Sequence, residues 1–148
     1  MQLNKLYTAL LAVTLLFSTS CNNEKEEQKE MQHKVMHTHD ELMSQMGLLM
    51  ENKNKIKVVL LKLDSLKNTN PDTDTTLVKN NLMAATKELE KADEDMMDWM
   101  HGFNPDYTGK KHEEVMEYLK EQEIKILVVE KTFKNVLIKS DSLINKYK

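Results

Sequence analysis

One cysteine, three glycines, two prolines and no arginine among 148 residues exclude several kinds of protein. A single thiol cannot close an internal disulfide, so no covalent cross-link is available to stabilise the fold. Arginine is the usual bidentate ligand for phosphate and guanine, and the formal net charge is −3, so we expect no nucleic-acid binding. Glycine-rich phosphate loops, GxSxG and CxxC motifs are also missing, and we expect no enzymatic activity.

The first twenty residues have the composition of a secretory signal peptide. Lys5 precedes an apolar run from Leu6 to Phe17, and three small polar residues then lead to Cys21. The run has twelve residues, fewer than the twenty or so that a bilayer-spanning helix needs. We therefore predict that residues 1–20 are a signal peptide and are removed.

Cys21 follows the small residues as the modified cysteine does in a bacterial lipobox, and the segment resembles one. The resemblance implies cleavage before Cys21 and acylation of its sulfur and amine, so that acyl chains such as palmitate anchor the protein in a lipid bilayer. Asn22, in place of aspartate, favours the outer membrane, with the protein facing the periplasm or the cell surface. Residues 21–29 contain no apolar side chain to bury, which predicts a flexible tether.

From about residue 30, apolar residues recur at alternating steps of four and three, which is the heptad spacing of coiled-coil helices. Turn-forming residues around Pro71 and Pro105 divide this pattern into three stretches. The helices are predicted over about 30–67, 74–102 and 110–147. An all-α domain over residues 30–148 follows, an antiparallel up-down-up three-helix bundle with coiled-coil-like packing. Helices this regular also pair between chains, so the pattern allows a monomer or a coiled-coil dimer.

The heptad seams define the predicted core. In the first helix they contain Val35, His39, Leu42, Met46, Leu49, Lys53, Ile56, Leu60 and Leu63. In the second they contain Val78, Leu82, Ala85, Leu89, Ala92, Met96, Trp99 and Phe103. In the third they contain His112, Val115, Leu119, Gln122, Ile126, Val129, Phe133, Val136, Ser140, Leu143 and Tyr147. The polar members of these seams are candidates for setting the register between helices.

Methionine and histidine are concentrated at one end of the predicted bundle. Counting back from the turns places residues 94–100 level with about 44–50, and Trp99 level with about Lys111. Nine of the ten methionines after Met1, and all five histidines, then lie at the end where the first helix begins. This end is where a functional site is expected.

Three interpretations of the methionine-rich end are open. In the first interpretation, methionine is a flexible core filler, the cluster is explained by packing, and the histidines are exposed to solvent. Thioethers and imidazoles are also ligands for Cu(I) and Ag(I), and the Trp99 ring offers a cation–π contact. The candidate copper ligands are His39, Met43, Met46, Met96, Met100 and His112. Methionine-rich surfaces also accommodate apolar partners, which suggests binding to another envelope protein.

A zinc alternative rests on His33, His37 and Asp40. The two histidines are four residues apart on one helical face, with the carboxylate three residues further on. The HEXXH motif is absent, because residues 34–36 are Lys-Val-Met.

Two stretches carry a family resemblance: HDELM at 39–43 followed by Met46-Gly47, and MMDWMHGF at 96–103. With the lipobox, they resemble small helical lipoproteins of Bacteroidota often labelled viral A-type inclusion protein. The resemblance covers most of residues 30–105, implies an envelope location and supplies no catalytic residue. We therefore predict a membrane-anchored envelope lipoprotein with a non-enzymatic binding or structural role, and an envelope Cu(I)/Ag(I)-binding protein as the alternative.

Overall fold

The computed structural model describes the backbone of residues 3–147 and the side chains of residues 23–147. The predicted signal peptide, residues 1–20, and Cys21 lie outside the part whose side chains are described. The helices are α1 (Leu3–Leu61), α2 (Leu63–Thr69), α3 (Thr75–Gly102) and α4 (His112–Tyr147). No strand occurs between residues 3 and 147, so the prediction of an all-α fold is confirmed.

Capping side chains explain where α3 and α4 begin. The Asp74 carboxylate accepts a hydrogen bond from the backbone N–H of Leu77 at 3.0 Å. The Glu114 carboxylate accepts one from the N–H of Lys111 at 2.9 Å, as the fourth residue of a capping box does. Both helices therefore begin within two residues of their predicted starts.

The predicted first helix, 30–67, is interrupted at Lys62. The N–H of Lys62 bonds to the carbonyl of Val59 at 3.0 Å, three residues back instead of four. This tighter turn ends α1, and the short helix α2 continues the chain to Thr69. The interruption has no proline or glycine to mark it, so the sequence does not reveal it.

The prediction of a flexible tether over residues 21–29 is corrected where the side chains are described. Residues 23–29 belong to α1, because glutamate, lysine and glutamine are good helix formers. Glu27 and Gln28 also contact His112 at the start of α4. No helix between residues 3 and 147 combines the length and apolar character needed to cross a membrane.

One hydrophobic core lies between α1, α3 and α4. The largest fully buried side chains are Phe133, Leu42, Ile56, Leu82, Leu89, Met96, Leu119 and Ile126. These residues occupy the predicted seams, since heptad spacing keeps every third and fourth side chain on one helix face. Every buried residue in the part with described side chains lies from Val35 to Ile144, so a chain of residues 22–148 contains this whole core.

A buried polar contact joins α1 to α4. Asn52, which lies outside the predicted seam, is 3% exposed and donates hydrogen bonds to Ser140 Oγ and Asp141 Oδ1, both at 2.9 Å. Ser140 Oγ donates in turn to the carbonyl of Leu137 at 3.0 Å. The predicted seam residue Lys53 is only half-buried, because its ammonium reaches Glu90 at 3.3 Å. A buried amide with both partners in place favours one alignment of the two helices.

Candidate functional site

His39 is the centre of the candidate site. Only 17% of its side chain is exposed; its Nδ1 lies 2.9 Å from Asp40 Oδ1, and its Nε2 lies 3.3 Å from Met100 Sδ. An ionised carboxylate only accepts hydrogen bonds, so Nδ1 carries the ring proton and donates a hydrogen bond to Asp40 Oδ1. With the ring neutral, Nε2 is then unprotonated and its lone pair can bind a metal ion, whereas in the charged ring Nε2–H donates a hydrogen bond to the thioether sulfur. Metal-ligating histidines have this arrangement, because their second nitrogen donates to a carboxylate or carbonyl.

Trp99 forms one wall of the site. Its ring centroid lies 5.7 Å from that of His39 and 5.1 Å from that of Phe103. Trp99 is 7% exposed, and its Nε1 has no hydrogen-bond partner in the described part of the chain. An unsatisfied buried donor costs about 1–3 kcal/mol. Because the indole N–H makes no hydrogen bond to offset this cost, the contacts of the ring with its neighbours hold the indole in place. The electron-rich ring next to His39 favours a cation bound there.

The aromatic contacts continue from Trp99 into α4 and the loop before it. The Phe103 ring lies 6.2 Å from Tyr118, and the Tyr118 ring lies 6.1 Å from Tyr107. The Tyr118 hydroxyl accepts a hydrogen bond from the N–H of Asn104 at 2.7 Å. Burial raises the pKa of Tyr107, whose hydroxyl has no partner among the described residues. The sequence did not identify Tyr118, because its contact with Phe103 depends on the length of the loop.

The other predicted sulfur ligands are not in contact with a histidine nitrogen at hydrogen-bond range in the described chain. Met96 is fully buried in the core, and Met46 is half-buried and packs against it. Met43 is 40% exposed at the surface. Of the six predicted copper ligands, the structure therefore brings together His39 and Met100.

His112 lies away from this pair. Its Nδ1 is 3.1 Å from Gln28 Nε2, and its Nε2 is 3.4 Å from Glu27 Oε2. Gln28 precedes His39 by eleven residues, or about 16 Å along α1 at 1.5 Å per residue. His112 therefore does not lie beside the His39–Met100 pair, and of the two candidate histidines only His39 approaches a predicted sulfur ligand. The predicted alignment placed the reversal of the chain at Pro105, whereas the connection between α3 and α4 has nine residues, 103–111.

The remaining histidines do not support the zinc alternative. The rings of His33 and His37 are 6.4 Å apart, and His37 Nδ1 is 3.9 Å from Glu41 in an exposed pair. No group of three or more His, Cys, Asp or Glu side chains is arranged to hold a metal ion among the described residues. A site built from nitrogen and thioether sulfur, as at His39, is a different donor set.

Comparison with known proteins gives no relative. The chain matches no protein-family model, no curated protein and no solved structure. The resemblance to the Bacteroidota lipoproteins therefore stays a prediction.

Proposed function

We propose that α1, α3 and α4 form an antiparallel up-down-up three-helix bundle. The supporting contacts pair Gln28 with His112, Asn52 with Ser140, His39 with Met100, and Lys53 with Glu90. From one contact to the next along α1, the residue number of the partner rises on α4 and falls on α3. The helices α1 and α4 therefore run in the same direction, and α3 runs in the opposite one. This order is what an up-down-up chain path produces.

We propose that this bundle is the non-enzymatic part of an outer-membrane lipoprotein, anchored in the envelope through Cys21 and serving a binding or structural role. The observation that carries the proposal is the single cysteine directly after a short apolar segment and three small polar residues. Two or three acyl chains on one residue give stable anchoring, whereas one chain gives marginal anchoring. The absence of a nucleophile motif in the sequence agrees with a binding role.

Replacing Cys21 by alanine is expected to abolish acylation completely. The test is metabolic labelling of the full chain with an alkyne fatty acid in a bacterium that processes lipoproteins, followed by membrane fractionation. The wild type is expected to take up label and to fractionate with the outer membrane, and Ser20→Ala serves as the matched control. Label on the Cys21→Ala variant, or none on the wild type, would refute the anchor.

A second candidate function is Cu(I) or Ag(I) binding at His39 and Met100. The observation that favours it is the 3.3 Å approach of His39 Nε2 to Met100 Sδ, which places an imidazole nitrogen and a soft thioether sulfur together beside Trp99. Metal–nitrogen and metal–sulfur bonds are about 2.0–2.3 Å long in zinc sites. Bonds of this length add up to more than the gap, so an ion bound by both atoms would lie to one side of the line between them.

Replacing Met100 by leucine is expected to weaken Cu(I) binding by at least about tenfold, since it removes one of two protein donors while keeping the apolar volume. The measurement is a titration of residues 22–148 with Cu(I) against a competing chelator, together with the fluorescence of Trp99, the only tryptophan. His39→Leu is expected to give a similar loss.

Met83→Leu is the matched control, because Met83 lies on α3 and is 46% exposed. It is expected to bind Cu(I) as the wild type does. Equal affinity in the wild type, Met100→Leu and His39→Leu proteins would eliminate this candidate and leave the lipoprotein proposal unaffected.

A further inference from the structure

Charge is distributed unevenly along the helices. The contacts of Asn52 with Ser140 and of Lys53 with Glu90 mark one level across them. Beyond this level, residues 54–88 and 141–147 form what we call the distal end. It contains seven lysines and five acidic residues, for a formal charge of +2. The rest of residues 23–147 contains twelve lysines and nineteen acidic residues, for a formal charge of −7.

The distal end carries exposed apolar side chains between its lysines. On the outer face of α1, Leu61 is 78% exposed and Val58 is 48% exposed, three residues apart on the helix. Lys57 and Lys62 flank them, and neither has a carboxylate within 4 Å among the described residues. We call these four residues the distal patch. Lysine next to exposed apolar side chains is the composition of a helix face that lies on a lipid surface.

A cleft adjoins the distal patch where α1 meets the end of α4. It has a volume of about 170 Å³ and is lined by Lys55, Val58, Val59, Lys62, Ile144 and Tyr147. Four of these six residues are apolar or aromatic; of the two lysines, Lys55 lies on α1 and Lys62 directly follows its last residue. Lys55 is paired with Glu51 at 2.7 Å, whereas Lys62 has no carboxylate partner in the described chain. The cleft therefore suits part of an acyl chain below an anionic head group.

We propose that the distal patch docks on an anionic lipid surface, with Val58 and Leu61 entering the acyl region and Lys57 and Lys62 next to the head groups. The net positive charge of the distal end supplies the attraction, because anionic lipids draw basic residues close to the surface. An anionic polymer without acyl chains explains the lysines but not the exposed leucine and valine. The rest of the described chain, at −7, is repelled by the same surface, so docking is restricted to this end.

The test uses residues 22–148, which contain the whole described core and no acyl anchor, so its outcome does not depend on acylation of Cys21. The protein is sedimented with vesicles of phosphatidylcholine alone or mixed with phosphatidylglycerol. We expect binding to the mixed vesicles that weakens with salt, and little binding to phosphatidylcholine alone. The double variant Lys57→Gln/Lys62→Gln is expected to bind about 25-fold more weakly, at about fivefold per lysine. Val58→Asp/Leu61→Asp is expected to lose binding.

Matched controls separate docking from general effects of charge and folding. Lys34→Gln/Lys120→Gln removes two lysines that have no carboxylate partner within 4 Å in the described chain and that lie outside the distal end. Ile124→Asp/Val128→Asp changes two residues of α4 that are 64% and 60% exposed. Both controls are expected to bind mixed vesicles within about twofold of the wild type, with unchanged circular dichroism. Equal losses in these controls, equal binding to phosphatidylcholine alone, or equally strong binding to soluble polyglutamate would overturn the proposal.

Discussion

Replacing Ile126 by aspartate is expected to unfold the protein at neutral pH. Ile126 is fully buried between the helices, so the substitution removes a core side chain and places a carboxylate where it has no partner. Loss of a buried isoleucine costs about 2–5 kcal/mol, and burial of the unpaired charge costs several more. The total is comparable to the whole stability of a small domain, about 5–15 kcal/mol.

The matched control for this prediction is Ile124→Asp, two residues earlier on the same helix. Ile124 is 64% exposed, so the same substitution is expected to change the free energy of unfolding by no more than about 0.5 kcal/mol. Urea unfolding followed by far-ultraviolet circular dichroism measures both variants. Similar stabilities for the two variants would mean that α4 does not present Ile126 to a core, and the packing described here would be incorrect.

Asn52→Asp is expected to destabilise the protein by roughly 3 kcal/mol or more at pH 7. The change is isosteric, but a carboxylate cannot donate the two hydrogen bonds that Asn52 gives to Ser140 and Asp141. It also places a second negative charge within hydrogen-bond distance of the Asp141 carboxylate, at a position that is 3% exposed. Asn54→Asp, at an exposed position on α1, is the control and is expected to cost little.

This loss of stability is expected to depend on pH. Burial and the Asp141 charge both raise the pKa of the new carboxyl group in the folded state above its unfolded value of about 3.9. The folded variant then binds more protons than the unfolded chain, so stability falls as pH rises from about 4 to the folded pKa. Below about pH 4, the neutral acid can donate a hydrogen bond and the variant approaches the wild type. A stability difference that stays constant from pH 3 to pH 8, measured against the Asn54→Asp control, would contradict this account.

The sequence predicts that Ile126 is buried, but it does not predict that Asn52 is. Ile126 belongs to the predicted seam because heptad spacing is a local property that any window of the sequence displays. Asn52 does not belong to the predicted seam, which contains the neighbouring residue Lys53 instead. A lysine side chain is long enough to leave the interior and reach Glu90, whereas the shorter amide at Asn52 stays buried with its partners.

The candidate site was also predicted only in part from the sequence. Composition alone drew attention to methionine, histidine and Trp99, and the structure brings His39, Trp99 and Met100 together from α1 and α3. It separates His112 from them, because the alignment of α4 depends on nine loop residues whose conformation no periodicity describes.

The sequence by itself determined the helical class, the approximate limits of α3 and α4 and most core positions, since these follow from side-chain spacing and from residues that cap or interrupt helices. Only the tertiary structure decided the break at Lys62 and the partners of Asn52. It also decided which histidine meets which methionine. These features depend on how far one helix slides along another, and that distance is set by loop length and by the fit of side chains distant in sequence.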